Sequence, residues 1–283
     1  MAKDTFFQKK LTINAGGKLI DLSVPKVMGI INITPDSFYS GSRKPGVEEA
    51  LAQAEQMLSE GADFLDLGAY SSRPGAGNIS LQEEKDRLLP VVEAIAEKFR
   101  EAIISIDTFR AEVAEAAVKS GAHIINDISG GQLDENMFAI VAKLKVPYIL
   151  MHMKGTPQNM NQMAKYDDIF TEVLDYFAQK NHQLKHLGVH DVIIDPGFGF
   201  AKMSEHSYAL MNRLQEFDML ELPVVVGVSR KRMIYKLLGG TAEDALNGTT
   251  ALNAIALTKG ANILRVHDVK EAVETIKIFQ ACR

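Results

Sequence analysis

Polar residues that could bind a hydrogen-bonding ligand come directly after short apolar runs of the sequence. Asp107, Asn126 and Asp195 each end such a run. Two carboxylates and an amide suit a flat ligand rich in N–H donors, because a carboxylate can accept two parallel hydrogen bonds. Taken singly, each residue could instead cap the helix that follows it. Their repeated occurrence at equivalent positions favours one shared binding site.

Cationic residues follow two further apolar runs. Arg265 and His267 lie in the sequence Arg-Val-His-Asp, and Arg73 and Lys231 could join them. Arginine binds phosphate through two parallel hydrogen bonds, whereas lysine acts as a point charge. Side chains two apart on a strand point to the same side, so Arg265 and His267 predict an anion site. The alternatives are a surface ion pair for Arg265 and a packing role for His267.

Metal ligands and pocket walls are harder to assign. Asn32 ends the first run, and its amide oxygen could bind Mg²⁺ together with phosphate oxygens and water, although asparagine also forms turns. No spacing of histidines and cysteines resembles a zinc site. His152 is interpreted as a structural or pocket-wall residue.

Two polar loops, at 32–43 and 71–78, could close over a substrate. Phe38 and Phe200 could line a pocket there or be buried in the protein.

The elements that must position these residues alternate along the chain. Short β-rich runs are separated by segments with helical periodicity from residue 27 onward. The predicted strands are 27–31, 63–67, 103–107, 122–126, 147–151, 192–195, 223–227 and 263–266. Strict alternation implies a parallel sheet, and eight strands favour a closed (β/α)8 TIM barrel over an open doubly wound sheet. Active sites of such barrels lie at the carboxyl ends of the strands, where the polar clusters fall.

Local signals add detail to this α/β prediction. The segments 11–14 and 18–22 flank Ala15-Gly16-Gly17 and predict an N-terminal β-hairpin, which we expect to cap the barrel floor. Ser80 with Glu83 indicates a capping box at a helix start. Asp134 is predicted to cap the helix that carries Met137.

Composition limits the class of protein. The chain has 283 residues, which suits one barrel domain over 1–283, since such barrels take about 250 residues. A net charge of −5 argues against a nucleic-acid partner. Cys282 is the only cysteine, which excludes an internal disulfide. No apolar run approaches the roughly 18 residues of a membrane span, and the first residues lack the apolar stretch of a signal peptide. We therefore expect a cytoplasmic protein without a membrane partner.

Taken together, the motifs resemble those of the dihydropteroate synthase family, over about residues 27–269. The resemblance rests on seven short segments whose order and spacing are highly specific. They are MGIINITPDSF (28–38), SSRPG (71–75), SIDT (105–108), IND (125–127), DPGFGF (195–200), SRK (229–231) and RVHD (265–268).

This resemblance implies a reaction. The family joins 6-hydroxymethyl-7,8-dihydropterin diphosphate to 4-aminobenzoate, and it releases pyrophosphate and 7,8-dihydropteroate for folate synthesis. It also implies Mg²⁺ as cofactor, small-molecule substrates as partners, a homodimer and binding of sulfonamides. The chemistry would be a dissociative substitution, in which diphosphate leaves before the weakly nucleophilic aniline nitrogen attacks.

The resemblance also implies roles for individual residues. The pterin would be held by Asp107, Asn126, Met151, Asp195 and Lys231. The diphosphate would contact Asn32, Ser72, Arg73, Arg265 and His267, with Asn32 also binding Mg²⁺. The 4-aminobenzoate would lie near Phe38, Ser72, Pro74, Phe200 and Lys231. The catalytic residues would be Asp107, Lys231 and Asp36, and the charge of Asp107 or Asp36 would stabilise the cation left by diphosphate.

Four positions depart from the commonest family pattern. Tyr70 stands where glutamate is usual, Ser72 replaces threonine, Ala201 replaces glycine, and Arg232 stands where serine is common. These changes concern the aminobenzoate pocket. They leave every residue implied for the pterin in place.

Three other functions share parts of this pattern. A methyltetrahydrofolate methyltransferase would share the acidic and amide contacts, but it would not need the Thr-Pro-Asp-Ser-Phe loop or the Arg-Val-His anion site. A pterin-sensing or scaffold protein could lose Asn32, Arg73, Lys231 or His267 without unfolding, and all four are retained. A nicotinamide-dependent oxidoreductase would need a glycine fingerprint, and Gly197-Phe198-Gly199 lacks the third glycine.

Overall fold

The fold is an eight-stranded parallel barrel preceded by a hairpin. The computed structural model of the protein describes residues 9–33, 44–70 and 78–282. In this part of the chain the hairpin strands are β1 (Thr12–Ala15) and β2 (Lys18–Asp21). The barrel strands are β3 (Lys26–Asn32), β4 (Phe64–Gly68), β5 (Ile103–Asp107), β6 (Ile124–Asp127), β7 (Tyr148–Met151), β8 (Val192–Asp195), β9 (Val225–Val226) and β10 (Ile263–Val266). Each predicted strand is confirmed, with the seventh shortened to two residues.

The sheet closes on itself. Its strand order is β8-β7-β6-β5-β4-β3-β10-β9, and the neighbouring strands are parallel. The two ends of this order meet where Ile194 bridges Val224 and the Ile194 amide donates to the Pro223 carbonyl over 2.9 Å. The TIM-barrel prediction is therefore confirmed, and the open doubly wound sheet is not the observed fold.

Helices follow the strands and cover the outside of the barrel. In the described residues they are α1 (Lys44–Glu60), α2 (Leu81–Lys98), α3 (Ala111–Lys119), α4 (Met137–Leu144), α5 (Ile169–His186), α6 (Ser204–Asn212), α7 (Arg232–Leu238), α8 (Leu246–Thr258) and α9 (Val269–Ala281). Short 3₁₀ turns cover Leu214–Leu220 and Glu243–Ala245. None of the described helices is both long and apolar enough to cross a membrane.

Two helix starts agree with their local signals, and one of the capping side chains also serves a second helix. The Ser80 hydroxyl accepts a hydrogen bond from the Glu83 amide over 3.1 Å, as the capping motif predicts. The prediction for Asp134 agrees with the structure, because its Oδ1 accepts from the Asn136 amide over 3.0 Å in the turn directly before Met137, the first residue of α4. Its Oδ2 also accepts from the amide of Ala111 over 2.7 Å, at the start of α3. A carboxylate can cap a helix that is distant in sequence, and local spacing does not reveal such a partner.

The hairpin plugs the floor of the barrel. Successive strand residues point to opposite faces, so each barrel strand sends every second side chain inward. Near the amino ends of the strands these inward side chains form one apolar layer: Met28, Phe64, Ile103, Ile124, Ile149, Ile193, Val225 and Ile263. Ile13, Ala15 and Leu22 of the hairpin region pack against this layer, which confirms the predicted cap.

Above this floor the inward positions become polar. Two residues after Phe64 comes Asp66, two after Ile124 comes Asn126, and two after Ile193 comes Asp195. The intervening residues, such as Leu65, belong to the separate core between the strands and the helices. The same period of two therefore produces a sealed apolar floor and a polar mouth from the same set of strands.

The plug predicts a stability difference between two leucines of the hairpin region. Leu22 is fully buried, whereas Leu19 is 76% exposed. Leu22→Ala is expected to lower the free energy of unfolding by about 2–5 kcal/mol, because it leaves a cavity. Leu19→Ala serves as the control and should change it by less than about 0.5 kcal/mol. Urea denaturation measures both, and similar small losses would show that the hairpin does not support the barrel.

Candidate active site

A buried arginine held by two carboxylates lies at the carboxyl end of the barrel. Arg265, on β10, reaches past β3 to Asp66 on β4 and Asp107 on β5. Its Nε donates to Asp66 Oδ2 over 2.6 Å, and its Nη2 donates to Asp107 Oδ2 over 2.7 Å. Asp66 is fully buried, and the side chains of Asp107 and Arg265 are 18% and 17% exposed. We call these three residues the Asp–Arg–Asp cluster.

Asn126 joins the cluster from β6. Its Nδ2 donates to Asp66 Oδ2 over 2.9 Å, and its backbone is paired in register with Asp107. The structure thus brings together three predicted site residues and adds Asp66. A search of strand ends misses Asp66, because it lies inside the run Phe-Leu-Asp-Leu-Gly rather than after it. A charge within an apolar strand was the available signal, since buried charges need partners.

The charges of this cluster set the protonation of Asp107. Burial raises the pKa of the Asp107 carboxyl to about 7, against the lowering effect of Arg265 and with the help of the nearby Asp66 charge. Burial alone would lower the pKa of Arg265, but Asp66 and Asp107 raise it above its ordinary value. Arg265 is therefore a permanent cation, whereas Asp107 changes its charge near neutral pH.

A second acidic and basic pair lies beside the cluster. Asp195 is 6% exposed at the end of β8, and its Oδ1 accepts from the Gly197 amide over 2.7 Å. Burial raises the pKa of Asp195, and the Lys231 charge lowers it. Desolvation lowers the pKa of Lys231 to about 8, although Asp195 opposes this effect. Lys231 Nζ donates to the Phe198 carbonyl over 2.5 Å and lies 4.8 Å from the centre of the Phe200 ring.

An apolar patch borders these charges. Met151 is 2% exposed at the end of β7 and is paired in register with Asp195. Met151 belongs to a buried apolar cluster, and the partly buried side chain of Phe200 packs against that cluster. The other members are Phe109, Ile128, Leu133, Met153, Met160 and Ala201. Met151, predicted to contact the pterin, and Phe200, predicted to contact the aminobenzoate, thus belong to the same apolar cluster.

The loop after β8 is fastened to the end of β7 by a buried lysine. Lys202 is 7% exposed, and its Nζ donates to the carbonyls of His152 and Phe200, each over 3.1 Å. It also lies 2.8 Å from Nδ1 of His152. Burial lowers the pKa of both Lys202 and His152. His152, predicted to be a structural or pocket-wall residue, is buried. No sequence pattern identifies Lys202, because lysines are seldom buried.

The same loop makes a close backbone approach at one glycine. Gly197 has φ +70°, and a Cβ there would collide with the His152 carbonyl oxygen. Later in this loop, Ala201 has φ +49°, a conformation that glycine adopts more easily. The resemblance leads us to expect glycine at position 201, and an alanine in this conformation carries some backbone strain.

Serine and aspartate side chains fix the residues of the two basic motifs. Ser229 Oγ lies 3.0 Å from Nδ1 of His267 and accepts from the His267 amide over 3.2 Å. Arg230 donates to both carboxylate oxygens of Asp268, over 3.0 and 2.8 Å. These contacts join the segments 229–231 and 265–268. They orient the His267 imidazole and assign Arg230 to an ion pair.

Two substituted positions lie near the mouth of the barrel. The Tyr70 hydroxyl donates to Asn78 Oδ1 over 2.6 Å and accepts from Gln158 Nε2 over 2.9 Å. Its ring packs edge-on against Phe109, with 4.9 Å between the ring centres. Arg232 is exposed at the first position of α7.

The remaining predicted ligands are incompletely placed. Asn32 is exposed at the end of β3. Asp36, Phe38, Ser72, Arg73 and Pro74 lie outside the described residues. Within 9–33, 44–70 and 78–282, no group of three or more His, Cys, Asp and Glu side chains could hold a metal ion. One exposed amide oxygen suits an ion whose other ligands are phosphate oxygens and water, so Mg²⁺ at Asn32 stays a prediction.

Comparison with known proteins places this geometry in a family. Residues 28–267 match the family described as "Pterin binding enzyme". The chain is 44% identical to dihydropteroate synthase of Escherichia coli K12 over 269 residues, which cover 94% of this chain and 95% of that protein.

Two solved structures share the fold. The Yersinia pestis dihydropteroate synthase with a sulfonamide drug complex superposes with a TM-score of 0.90 at 43% identity, covering 96% of this chain and 99% of the other. Xanthomonas albilineans dihydropteroate synthase with 4-aminobenzoic acid gives 0.89 at 37% identity, covering 96% and 98%.

The Asp–Arg–Asp cluster predicts a pH-dependent stability loss when its cation is removed. Arg265→Met is expected to destabilise the protein by about 3–5 kcal/mol, because buried carboxylates lose their partner. Arg265 lowers the pKa of Asp107, so its loss raises that pKa beyond about 7. A raised folded-state pKa means that stability is present at low pH and is lost as the pH rises through the folded pKa. Urea denaturation should therefore show a larger loss at pH 8 than at pH 5.

A double variant is the control for this prediction. Arg265→Met combined with Asp107→Asn lacks both the cation and the carboxylate that titrates. Its stability loss, relative to the unaltered chain, should depend less on pH than that of Arg265→Met alone. Equal losses at the two pH values for Arg265→Met would contradict the assigned electrostatics.

Proposed function

We propose how this chain, which belongs to the dihydropteroate synthase family of pterin binding enzymes, performs that family's reaction. The function is condensation of 6-hydroxymethyl-7,8-dihydropterin diphosphate with 4-aminobenzoate to 7,8-dihydropteroate and pyrophosphate, a transferase step of folate biosynthesis. The observation that carries the assignment of residues is the Asp–Arg–Asp cluster with Asn126 and Asp195 at one end of a barrel that matches the family along almost its whole length.

The polar mouth is proposed to bind the pterin. A pterin ring is flat and presents several N–H donors, which suit the carboxylate of Asp195 and the amide oxygen of Asn126. Asp107 and Lys231 complete the polar contacts, and Met151 packs against the ring. Burial supports this role, because a charge-assisted hydrogen bond is stronger where water is excluded.

The diphosphate is proposed to lie above the pterin site. Arg265 supplies positive charge, Arg265 and His267 supply N–H donors, and Asn32, Ser72 and Arg73 complete the contacts. Mg²⁺, held by Asn32 together with diphosphate oxygens and water, would neutralise charge on the leaving group. The orientation of His267 by Ser229 supports its inclusion, since the imidazole is held in place before the anion arrives.

The 4-aminobenzoate is proposed to bind beside Phe200 and Lys231. The Lys231 ammonium, 4.8 Å from the centre of the Phe200 ring, offers a cation next to an aromatic wall, which suits an aromatic carboxylate. Phe38, Ser72 and Pro74 would complete this pocket. Sulfonamides are proposed to bind there as well, because the related Yersinia pestis structure contains a sulfonamide complex.

The proposed chemistry is a dissociative substitution. The bond between the pterin methylene carbon and the diphosphate oxygen breaks, and its electron pair leaves with diphosphate. The resulting cation is delocalised into the pterin and is stabilised by the negative charge of Asp107, with Asp36 as a second candidate. The amine of 4-aminobenzoate then forms the new C–N bond and loses a proton. Exclusion of water by the loops at 32–43 and 71–78 would prevent hydrolysis of the cation.

A homodimer is proposed as the working form. Four large apolar side chains are substantially exposed on α7, α8 and α9: Leu237 (71%), Leu238 (61%), Ile255 (41%) and Ile278 (67%). These three helices are neighbours on the outside of the barrel. Exposed apolar surface of this kind is typical of a subunit interface.

A cytoplasmic location without a nucleic-acid or membrane partner is also part of the proposal, in keeping with the net charge of −5.

Product formation tests the function. The purified chain is mixed with dihydropterin diphosphate and Mg²⁺, with and without 4-aminobenzoate, and pyrophosphate and dihydropteroate are measured. Pyrophosphate release that requires 4-aminobenzoate and matches dihydropteroate formation is the expected result. Tight pterin binding without product would contradict it and would support a pterin sensor or a methyltetrahydrofolate methyltransferase. Omission of Mg²⁺ tests the cofactor in the same assay.

The protonation of two residues predicts the pH profile. The values of kcat/KM for dihydropterin diphosphate should rise with pH through about 7, as Asp107 ionises, and fall above about 8, as Lys231 loses its proton. Asp107→Asn should lower kcat by about 10²–10³, because a charge that stabilises the transition state is lost. It should also remove the rise near pH 7. We call this rise of kcat/KM near pH 7 the acidic limb of the profile. If Asp107→Asn still shows the acidic limb, a group other than Asp107 causes it.

The oligomeric state gives a separate prediction. Leu237→Glu places a charge on the exposed apolar region and should convert a dimer to monomers in sedimentation velocity experiments. Met219→Glu is the control, since Met219 is 49% exposed in a 3₁₀ turn outside that region. A monomeric unaltered chain, or a dimer that survives Leu237→Glu, would contradict this interface.

A further inference from the structure

Asp66 is the one member of the Asp–Arg–Asp cluster that neither the motifs nor the proposed reaction uses. Its side chain is fully buried inside β4. A single oxygen, Oδ2, accepts from Arg265 Nε over 2.6 Å and from Asn126 Nδ2 over 2.9 Å. Both donors belong to residues that the proposed function places against the substrate. Asp66 therefore contacts two side chains that the proposed function assigns to the substrate, and its own side chain is fully buried.

The contact with Asn126 fixes which way the amide faces. An asparagine side chain has one donor group and one acceptor oxygen, and a carboxylate can only accept. Because Asp66 takes the donor group, the amide oxygen of Asn126 is directed away from it and can accept from the N–H group of a ligand. Without a carboxylate at position 66, either orientation of the amide would be possible.

The contact with Arg265 fixes the plane of the guanidinium. Arg265 uses Nε for Asp66 and Nη2 for Asp107, so two carboxylates on neighbouring strands hold one flat group. Loss of Asp66 would leave Arg265 attached to Asp107 alone. The guanidinium could then turn toward Asp107 and neutralise it more completely.

The other oxygen of Asp66 adds a cost to folding that its ion pair with Arg265 does not require. Oδ1 of Asp66 is buried without a hydrogen-bond partner among the described residues. A buried polar atom left in this state costs folding free energy, and such atoms are uncommon in folded proteins. An uncompensated cost at the centre of a substrate site is typical of a residue retained for function.

We propose that Asp66 is a positioning residue for dihydropterin diphosphate, which holds the Asn126 amide and the Arg265 guanidinium in their substrate-binding orientations. The inference rests on the proposed function and assigns Asp66 no contact with the reacting atoms. It predicts a selective effect, since the pterin substrate depends on both positioned groups and 4-aminobenzoate depends on neither.

Electrostatics supply a readout that a purely structural role would not change. The groups that act on Asp107 are Arg265, Asp66, Glu84 and Asp127, and Lys231 faces it from the residue before α7. Arg265 lowers the pKa of Asp107, whereas Asp66 raises it. Removal of the Asp66 charge should therefore move the acidic limb of kcat/KM to lower pH.

The test compares Asp66 with an aspartate just before the amino end of the same strand. Asp66→Asn should raise the KM for dihydropterin diphosphate at least tenfold, change the KM for 4-aminobenzoate less than twofold, and move the acidic limb to lower pH. Asp63→Asn is the matched control. Asp63 accepts from the Val27 amide over 2.8 Å and pairs with Lys26 over 3.2 Å. This control should leave both KM values and the acidic limb unchanged.

A second variant separates position from charge and covers the case in which Asp66→Asn does not fold. Asp66→Glu keeps the charge but displaces the carboxylate by one methylene. It should raise the KM for dihydropterin diphosphate and leave the acidic limb near its original pH. Circular dichroism identifies a variant that is unfolded. Unaltered pterin KM values in the folded variants would overturn the proposal.

The result remains interpretable if the proposed function itself fails. In that case the unaltered chain would form no dihydropteroate, and binding of 6-hydroxymethylpterin is measured by fluorescence instead. Weaker binding by Asp66→Asn than by Asp63→Asn would support the positioning role. Equal binding by the two variants would overturn it.

Discussion

A positive charge inside the mouth of a closed barrel is the constraint on which the site depends. Arg265 is withdrawn from water, so it requires negative partners, and Asp66 and Asp107 provide them from two other strands. Two carboxylates around one guanidinium leave an excess negative charge. Burial raises the pKa of Asp107 to about 7, and the nearby negative charge of Asp66 contributes to this shift. The protonation state of Asp107 at neutral pH thus depends on the charges that the mouth of the barrel encloses.

The barrel can enclose these charges because its floor is sealed separately. Inward side chains near the amino ends of the strands are apolar and pack against the hairpin, whereas those two residues further along are polar. The period of a strand makes this change of character possible without any break in the sheet. Stability therefore comes mainly from the floor and from the helix-covered outer core, and the mouth can hold groups that would destabilise an ordinary core.

Much of this arrangement could be predicted from the sequence, and the exceptions have physical reasons. Asp107, Asn126 and Asp195 come at or next to the ends of their strands, so a strand-end rule finds them. Asp66 lies in the middle of β4, where its sequence neighbours are apolar and its partners are 60 and 199 residues away. Its contacts with Asn126 and Arg265 form only when the folded barrel brings these strands together. Lys202 could not be predicted for the same reason. Its role is identified by its burial and by the carbonyl groups around it, and sequence spacing predicts neither. The family resemblance supplied what local patterns could not, namely the substrates and the reaction.

The preformed, charged mouth of the barrel is the proposed pterin site. A crystal structure of the chain with 6-hydroxymethylpterin would show whether the ligand binds there. The expected complex has the N–H groups of the pterin facing Asp195 and Asn126, with Met151 against the ring and the contacts of Arg265 to Asp66 and Asp107 retained. A pterin bound elsewhere on the barrel, or an Arg265 that leaves Asp66 when the pterin binds, would contradict it.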